Sequence, residues 1–342
     1  MEIQGYADPR FFAVRRELER NFAERGEVGA AVAVFVDGHR AVDLWGGVAD
    51  RRAGTPWREN TLQMVFSSTK GATALCAHVL AARGALDLDA PVARYWPEFA
   101  AGGKAEIPVR MLLNHQAGLA AIDEPLPVEA AYDWSVMTGA LERQAPLWEP
   151  GTAHGYHAFT FGWLVGEVVR RVSGRSLGTF FHEEVARPLG LDFWIGLPEA
   201  LEPRVARIIP APLPEEASVF SQALATRGTL TSKAFLNPRT FFASGQTGSR
   251  AMHGAEIPGA NGIATARGLA GMYATLACGG AWRAVELVDR DTLARMSAVE
   301  SEGDDRVLLT RTRFAAGFMK TIDNPGGDCV RLGPNPEAFG HA

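Results

Sequence analysis

Apolar residues recur every three or four positions in four stretches of this 342-residue chain, the spacing that one face of an α-helix produces. The first stretch, residues 8–26, begins with Asp-Pro and ends with glycine, both typical of helix boundaries. The second, residues 68–83, is apolar on nearly every side, which predicts a helix in the middle of a domain. Two more helices are predicted over residues 161–174 and 264–277.

Shorter apolar stretches predict β-strands. Residues 28–36 and 40–45 are separated by Asp37-Gly38, a pair that favours a tight two-residue turn, so we expect an antiparallel hairpin. A further strand is predicted over residues 314–322. Between about 204 and 258 the regular patterns break up, partly through repeated prolines. We expect an irregular region there that shapes a binding pocket.

Composition excludes several classes of protein. The net charge of −5 and the absence of a basic stripe argue against a nucleic-acid partner. The longest continuous apolar run, residues 30–36, is far too short to span a membrane. Three cysteines (Cys76, Cys278 and Cys329) do not make a disulfide framework, which favours a reducing compartment. We therefore expect a soluble, cytoplasmic protein.

Ser67 and Lys70 carry the first candidate chemistry. They lie three residues apart at the start of the predicted central helix, so the amine can reach the hydroxyl on one helix face. A serine hydroxyl is a poor nucleophile until a base takes its proton, and a desolvated lysine can be that base. Such a pair is weak evidence by itself, and its meaning depends on the rest of the chain.

Other polar residues have competing interpretations. A Gly-x-Ser-x-Gly motif surrounds Ser176, but it follows a predicted helix rather than a strand, so Ser176 is interpreted as a helix cap. Tyr156 could assist proton transfer or simply pack at a helix start. His154 and His157 are accompanied by no carboxylate or cysteine cluster, so no metal or other cofactor is predicted. His115 is interpreted as a structural residue that holds a turn.

Five segments, taken together and in this order, point to a known family. They are Phe66–Lys70, which contains the S-x-x-K pattern, Leu112–Leu119, Trp148–Gly151 leading into Tyr156, Pro188–Leu191 and Asn261–Ile263. The chain resembles the serine β-lactamase and penicillin-binding-protein superfamily, and most closely its esterase branch, the family VIII carboxylesterases. The resemblance covers essentially the whole chain.

The resemblance implies roles for three residues. Ser67 would be the acylated nucleophile, and Lys70 and Tyr156 would share the base and acid roles in an order that the sequence leaves open. The backbone N–H of Ser67 would form half of the oxyanion hole. The implied substrate is a small carboxylic ester.

Two departures from the superfamily pattern change the expected substrate and the expected activity. Where the β-lactamase form has the asparagine of Y-x-N, this chain has Ala158, which weakens the case for β-lactams and favours esters. His341 and Ala342 resemble the start of the H-x-G element beside the substrate, and the sequence ends there. From this we expect an esterase that lacks its last strands and its closing helix, and that is poorly stable and weakly active.

The expected fold is mixed α/β, with an antiparallel sheet flanked by helices and a mostly helical lobe. Residues 1–60 and 250–342 would build the sheet lobe, and residues 61–249 the helical lobe, with Ser67 in the cleft between them. The expected function is hydrolysis of small esters through an acyl-Ser67 intermediate. Alternatives are a β-lactamase or D-amino-acid peptidase, and a non-catalytic relative that binds a ligand. The oligomeric state is left open.

Overall fold

Residues 2–210, 216–322, 332–333 and 335–341 are described by a computed structural model of the chain. The described strands are short apart from those near the N terminus. In chain order they are β1 (Ile3–Ala7), β2 (Gly29–Val36), β3 (His39–Asp50), β4 (Thr55–Pro56), β5 (Gln63–Met64), β6 (Phe193–Trp194), β7 (Ile263–Ala264), β8 (Ala281–Trp282), β9 (Val285–Glu286), β10 (Ser301–Asp304), β11 (Arg311–Phe314), β12 (Met319–Lys320) and β13 (Phe339–Gly340).

Helices occupy most of the middle of the chain. They are α1 (Phe12–Glu24), α2 (Thr69–Ala82), α3 (Val109–Leu113), α4 (Trp134–Arg143), α5 (Thr160–Ser173), α6 (Leu177–Phe181), α7 (Arg187–Leu189), α8 (Val219–Ala225), α9 (Leu230–Leu236), α10 (Arg250–Gly254), α11 (Ala266–Ala277) and α12 (Arg290–Ser297). The expected mixture of antiparallel sheets and helices is confirmed. No helix in these described ranges is long and apolar enough to cross a membrane.

The N-terminal sheet forms as the hydrophobic pattern predicts. Its strands run in the order β1-β3-β2, all antiparallel, with β4 paired to β3. The hairpin turn at Asp37-Gly38 has positive φ at both residues (50° and 74°), the backbone that this pair favours. Helix α1 packs against this sheet and shares a small apolar core with it, while α11 packs against β2.

Helix α2 is the central helix of the molecule. Twelve of its fourteen residues are buried, and it packs against α5, α6 and α12. Its many alanines let these neighbours approach closely, and Cys76 is a fully buried core residue as expected. Helix α5 follows the predicted stripe and ends at Gly174 in the left-handed conformation.

Two predictions of local structure are wrong. The stretch 314–322 is not one strand, because Ala315 N–H donates to Phe318 O at 2.8 Å and Gly317 takes φ +92°, which turns the chain between β11 and β12. The region 204–258 is less irregular than expected, since it contains α8, α9 and α10. All three helices begin at a serine or threonine whose hydroxyl caps the first turn. Among many prolines, such a residue is a weak sequence signal for the start of a helix.

The strands of the predicted sheet lobe pair within more than one sheet. Strands β10 to β13 pair with one another in a separate four-stranded sheet, and in the described residues they do not pair with β1–β4. Strand β7 pairs with β5 and β6, which lie in the predicted helical lobe. Apolar alternation can identify strands, but it does not encode which strands meet. The division into residues 1–60 with 250–342 and residues 61–249 stays a prediction.

Candidate active site

Ser67 lies in a single 3-10 turn, Phe66–Ser68, that leads directly into α2. Phe66 has a positive φ of 42°, a backbone conformation that a phenylalanine rarely adopts. Thr69 stabilises this turn, since its hydroxyl donates to Phe66 O at 2.5 Å and accepts from Gly262 N at 2.8 Å. A strained turn held in this way keeps Ser67 at the helix start, partly exposed to solvent.

Lys70 is fully buried beneath Ser67 and its amine has three oxygen neighbours. Nζ lies 3.1 Å from Ser67 Oγ, 2.6 Å from Ala158 O and 2.7 Å from Gly259 O. Burial lowers the pKa of Lys70 well below its usual value, because a charged amine loses its hydration there. A neutral amine has two N–H groups for the two carbonyls and one lone pair for the serine proton. The geometry therefore fits a lysine that acts as a base toward Ser67.

The two carbonyls reach Lys70 because two backbone segments meet without side chains between them. Gly162, in the first turn of α5, packs against Gly259, and a Cβ on Gly162 would collide with the Gly259 backbone nitrogen. Asn261 holds the second segment: its amide donates to Met252 O and Ala255 O, and its carbonyl accepts from Ile257 N–H, all at 2.8 Å. The base is thus positioned by a rigid backbone frame.

The ring of Tyr156 lies beside the Lys70 amine. Its ring centroid is 4.7 Å from the Lys70 amine, and its hydroxyl is 3.3 Å from His341 Nε2. Burial raises the pKa of Tyr156, and a hydrogen bond with Ser67 opposes that rise without reversing it. Tyr156 is therefore a neutral phenol that can pass a proton but is a poor base.

The structure brings Ser67, Lys70, Tyr156 and His341 together around one point. His341 follows β13, and its carbonyl oxygen lies 3.5 Å from the Ser68 hydroxyl. Ala342, the other predicted substrate-binding residue, lies outside the described residues. The catalytic and binding roles of all five residues stay predictions at this point, because proximity alone does not establish them.

The histidines near Tyr156 act as structural groups. His157 donates from Nδ1 to Gly155 O at 2.7 Å and accepts at Nε2 from Leu119 N–H, which fixes a neutral ring. His115 accepts from His157 N–H at Nδ1, and burial lowers its pKa well below the usual value. In the described part of the chain, no group of three or more metal-ligating side chains is arranged to hold an ion.

Ser176 is a helix cap, as the sequence predicts. It accepts from Thr179 N–H at the start of α6, and its hydroxyl donates to Glu256 at 2.7 Å. Nothing about Ser176 matches the lysine-paired arrangement at Ser67.

Sequence reasoning missed Asp305, a buried carboxylate beneath Tyr156. It accepts from the backbone N–H of Tyr156 at 3.0 and 3.1 Å, and also from Val307 and Leu308 N–H, each at 2.8 Å. Thr312 Oγ1 donates to it as well, at 3.2 Å. Asp305 therefore fixes the backbone of Tyr156. The signal was present only as an acidic pair, Asp304-Asp305, among other surface charges.

Replacing Asp305 by asparagine tests this positioning role. An amide has one acceptor oxygen and an NH2 group that faces N–H donors, so at least one buried N–H loses its partner. We expect a loss of about 1–3 kcal/mol of stability, seen as a lower Tm, and a lower kcat with little change in KM. Asp304→Asn, at the exposed neighbouring position, is the matched control and should behave like the native chain. Equal effects of the two changes would refute the assignment.

Comparison with known proteins now decides the family. Residues 15–342 match the family described as Beta-lactamase. The chain belongs to the beta-lactamase family. Within this family, it is 38% identical over 341 residues to the esterase/beta-lactamase LipL of Mycobacterium tuberculosis, an alignment that spans 97% of this chain and 78% of LipL.

Two solved structures of beta-lactamase relatives superpose on the whole chain. A family VIII carboxylesterase matches with a TM-score of 0.88 and 40% identity, over 100% of this chain and 88% of that one. A penicillin-binding-protein homologue from Caulobacter crescentus matches with a TM-score of 0.89 and 38% identity, over the same shares. The resemblance that the sequence motifs indicated is confirmed by both comparisons.

Proposed function

We propose that this chain is a serine hydrolase that cleaves small carboxylic esters through an acyl-Ser67 intermediate. The observation that carries the proposal is the arrangement of Lys70, whose buried amine has two carbonyl acceptors and the Ser67 hydroxyl around it. This arrangement gives a serine a base without a histidine or a carboxylate. The esterase names of its relatives support the same reaction class.

Acylation follows from these groups. Neutral Lys70 takes the Ser67 proton while Oγ attacks the ester carbonyl carbon, and the carbonyl oxygen becomes an oxyanion. The Ser67 N–H, at the positive end of α2, stabilises that charge. The carbon–oxygen bond to the alcohol then breaks, and the proton on Lys70 passes to the leaving oxygen, with the neutral Tyr156 phenol as relay. Water repeats the sequence in deacylation and releases the acid.

The residue at position 158 favours an ester over a β-lactam as the substrate. Ala158 contributes a carbonyl to Lys70 but has only a methyl side chain, so it supplies no amide group to bind a substrate amide. β-Lactam hydrolysis is the second candidate, because the relative LipL is named for both activities. Peptidase action on D-amino-acid substrates and non-catalytic ligand binding are further candidates, which lack a specific supporting contact here.

Turnover of two chromogenic substrates separates these candidates. We expect the purified chain to hydrolyse nitrophenyl butyrate with a kcat/KM at least tenfold above that for nitrocefin. Nitrocefin turnover that equals or exceeds ester turnover would make lactams the better substrates. Absence of turnover for both, together with absence of a covalent adduct at Ser67, would favour the binding protein.

The same proposal places the enzyme in the cytoplasm, with a small uncharged ester as its partner and no nucleic-acid partner. Cys76 and Cys278 are free thiols, which suits a reducing compartment. The acidic net charge disfavours binding to a phosphate backbone. Fractionation of the source cells would test the compartment, and enzyme found outside the cytoplasm would contradict it.

A further inference from the structure

A row of phenylalanine rings begins at the residue before Ser67. Phe66 lies 6.4 Å from Phe241 between ring centroids, and Phe241 stacks on Phe159 at 4.7 Å with an interplanar angle of 9°. Phe235 meets Phe159 edge-on at 6.0 Å, and Phe220 meets Phe235 at 5.3 Å. We call these five residues the aromatic wall. All five residues are at least partly exposed to solvent, and Phe66 is 42% exposed.

The aromatic wall adjoins the proposed chemistry at two points. Phe66 is bonded to Ser67, and Phe159 follows Ala158, whose carbonyl accepts from the Lys70 amine. Two residues of the wall are therefore direct chain neighbours of residues in the proposed site. Partly exposed aromatic rings next to a reactive centre form the kind of surface that apolar ligand groups bind.

The segment that carries the distal rings is fixed by polar anchors. Thr231 donates to Val307 O at 2.7 Å, and Thr240 donates to Val128 O at 2.5 Å. The amide of Asn237 donates to the carbonyls of Ile122 and Glu124 at 2.7 and 2.8 Å. Because these bonds hold α9 and the turn after it, the rings need not be buried to keep their positions. Their exposure is therefore compatible with a preformed binding surface.

We infer that the aromatic wall binds an apolar, uncharged group of the ester, either an alkyl chain or an aryl ring, and sets the substrate preference. This inference rests on the proposed ester hydrolysis at Ser67. A charged substituent would lose hydration against five phenyl rings without gaining a partner. A methylene against them gains about a twofold to fourfold factor in kcat/KM, depending on how fully it is covered.

Phe241→Ala is the direct test, because Phe241 connects Phe66 to the rest of the wall. Nitrophenyl hexanoate has four more methylenes than nitrophenyl acetate, so at about twofold for each we expect the native chain to prefer hexanoate by about sixteenfold or more in kcat/KM. In Phe241→Ala the preference should fall to about twofold to threefold, because hexanoate turnover falls much more than acetate turnover. Phe242→Ala is the matched control, since Phe242 is the adjacent exposed phenylalanine and lies outside the ring contacts of the wall. Its preference should equal the native one.

Two outcomes would overturn the inference about the wall. One is a native chain without preference for the longer ester, and the other is an equal loss on both esters in Phe241→Ala. A binding assay separates this failure from failure of the esterase proposal. The uncharged dye N-phenyl-1-naphthylamine should bind native protein and Ser67→Ala equally, and bind Phe241→Ala at least threefold more weakly. Equal dye affinity in the native protein and in Phe241→Ala would contradict the binding role of the aromatic wall, whether or not esters are hydrolysed.

Discussion

Ser67→Ala should reduce ester hydrolysis by about 10⁴-fold or more relative to the native chain. Removal of the hydroxyl removes the atom that becomes acylated, and the remaining groups can only bind and polarise the ester. The hydroxyl is partly exposed and has two partners, the Lys70 amine at 3.1 Å and the Tyr156 hydroxyl. Both partners keep other hydrogen bonds, Lys70 to two backbone carbonyls and Tyr156 to His341. We therefore expect an unchanged Tm, measured beside kcat/KM for nitrophenyl butyrate.

Ser176→Ala is the matched control for the nucleophile. Ser176 caps α6, so its loss should lower the Tm slightly, by an amount consistent with about 1 kcal/mol, and leave turnover intact. If turnover survived in Ser67→Ala and disappeared in Ser176→Ala, the Gly-x-Ser-x-Gly motif would contain the nucleophile instead.

Lys70 variants should lose nearly as much activity as Ser67→Ala. Methionine fills a similar volume but has no basic lone pair, so we expect a loss of about 10²- to 10⁴-fold in kcat. The fold should survive, because removal of a buried amine offsets part of the cost of leaving Ala158 O and Gly259 O without this donor. Circular dichroism and thermal unfolding would verify that the protein is folded.

The Lys70→Arg variant tests whether residue 70 must act as a base or need only supply a positive charge. Arginine stays protonated at every working pH, so it can donate hydrogen bonds but cannot take the Ser67 proton. We expect it to be as inactive as Lys70→Met. Substantial turnover in Lys70→Arg would mean that a cation at this position suffices, which would contradict the role of neutral Lys70.

Much of the fold followed from local patterns. The hairpin at Asp37-Gly38, the central helix α2 and the stripe of α5 were all predicted, because each depends on residues close in sequence. The placement of β10–β13 in their own sheet was not predicted, since strand partners are chosen by tertiary packing. The turn inside residues 314–322 was missed because Gly317 is a single residue within an apolar run.

The sequence likewise predicts some residues of the candidate site and not others. Ser67 and Lys70 could be paired from helical spacing, and the resemblance added Tyr156 and His341. The groups around Lys70 could not be found, because two of them are backbone carbonyls and carry no side-chain signature. Asp305 joins Tyr156 across 149 positions of sequence, a distance over which spacing gives no information.

The pH dependence of Ser67 acylation tests the role of buried Lys70 most directly. The rate of adduct formation with a fluorophosphonate would be followed by intact mass, with the site confirmed by Ser67→Ala. Because burial lowers the pKa of Lys70, the neutral amine is present well below pH 10.5, so the rate should rise with pH and reach its plateau below that value. A rate that continues to rise through pH 10, or an adduct on another residue, would contradict a neutral Lys70 as the base for Ser67.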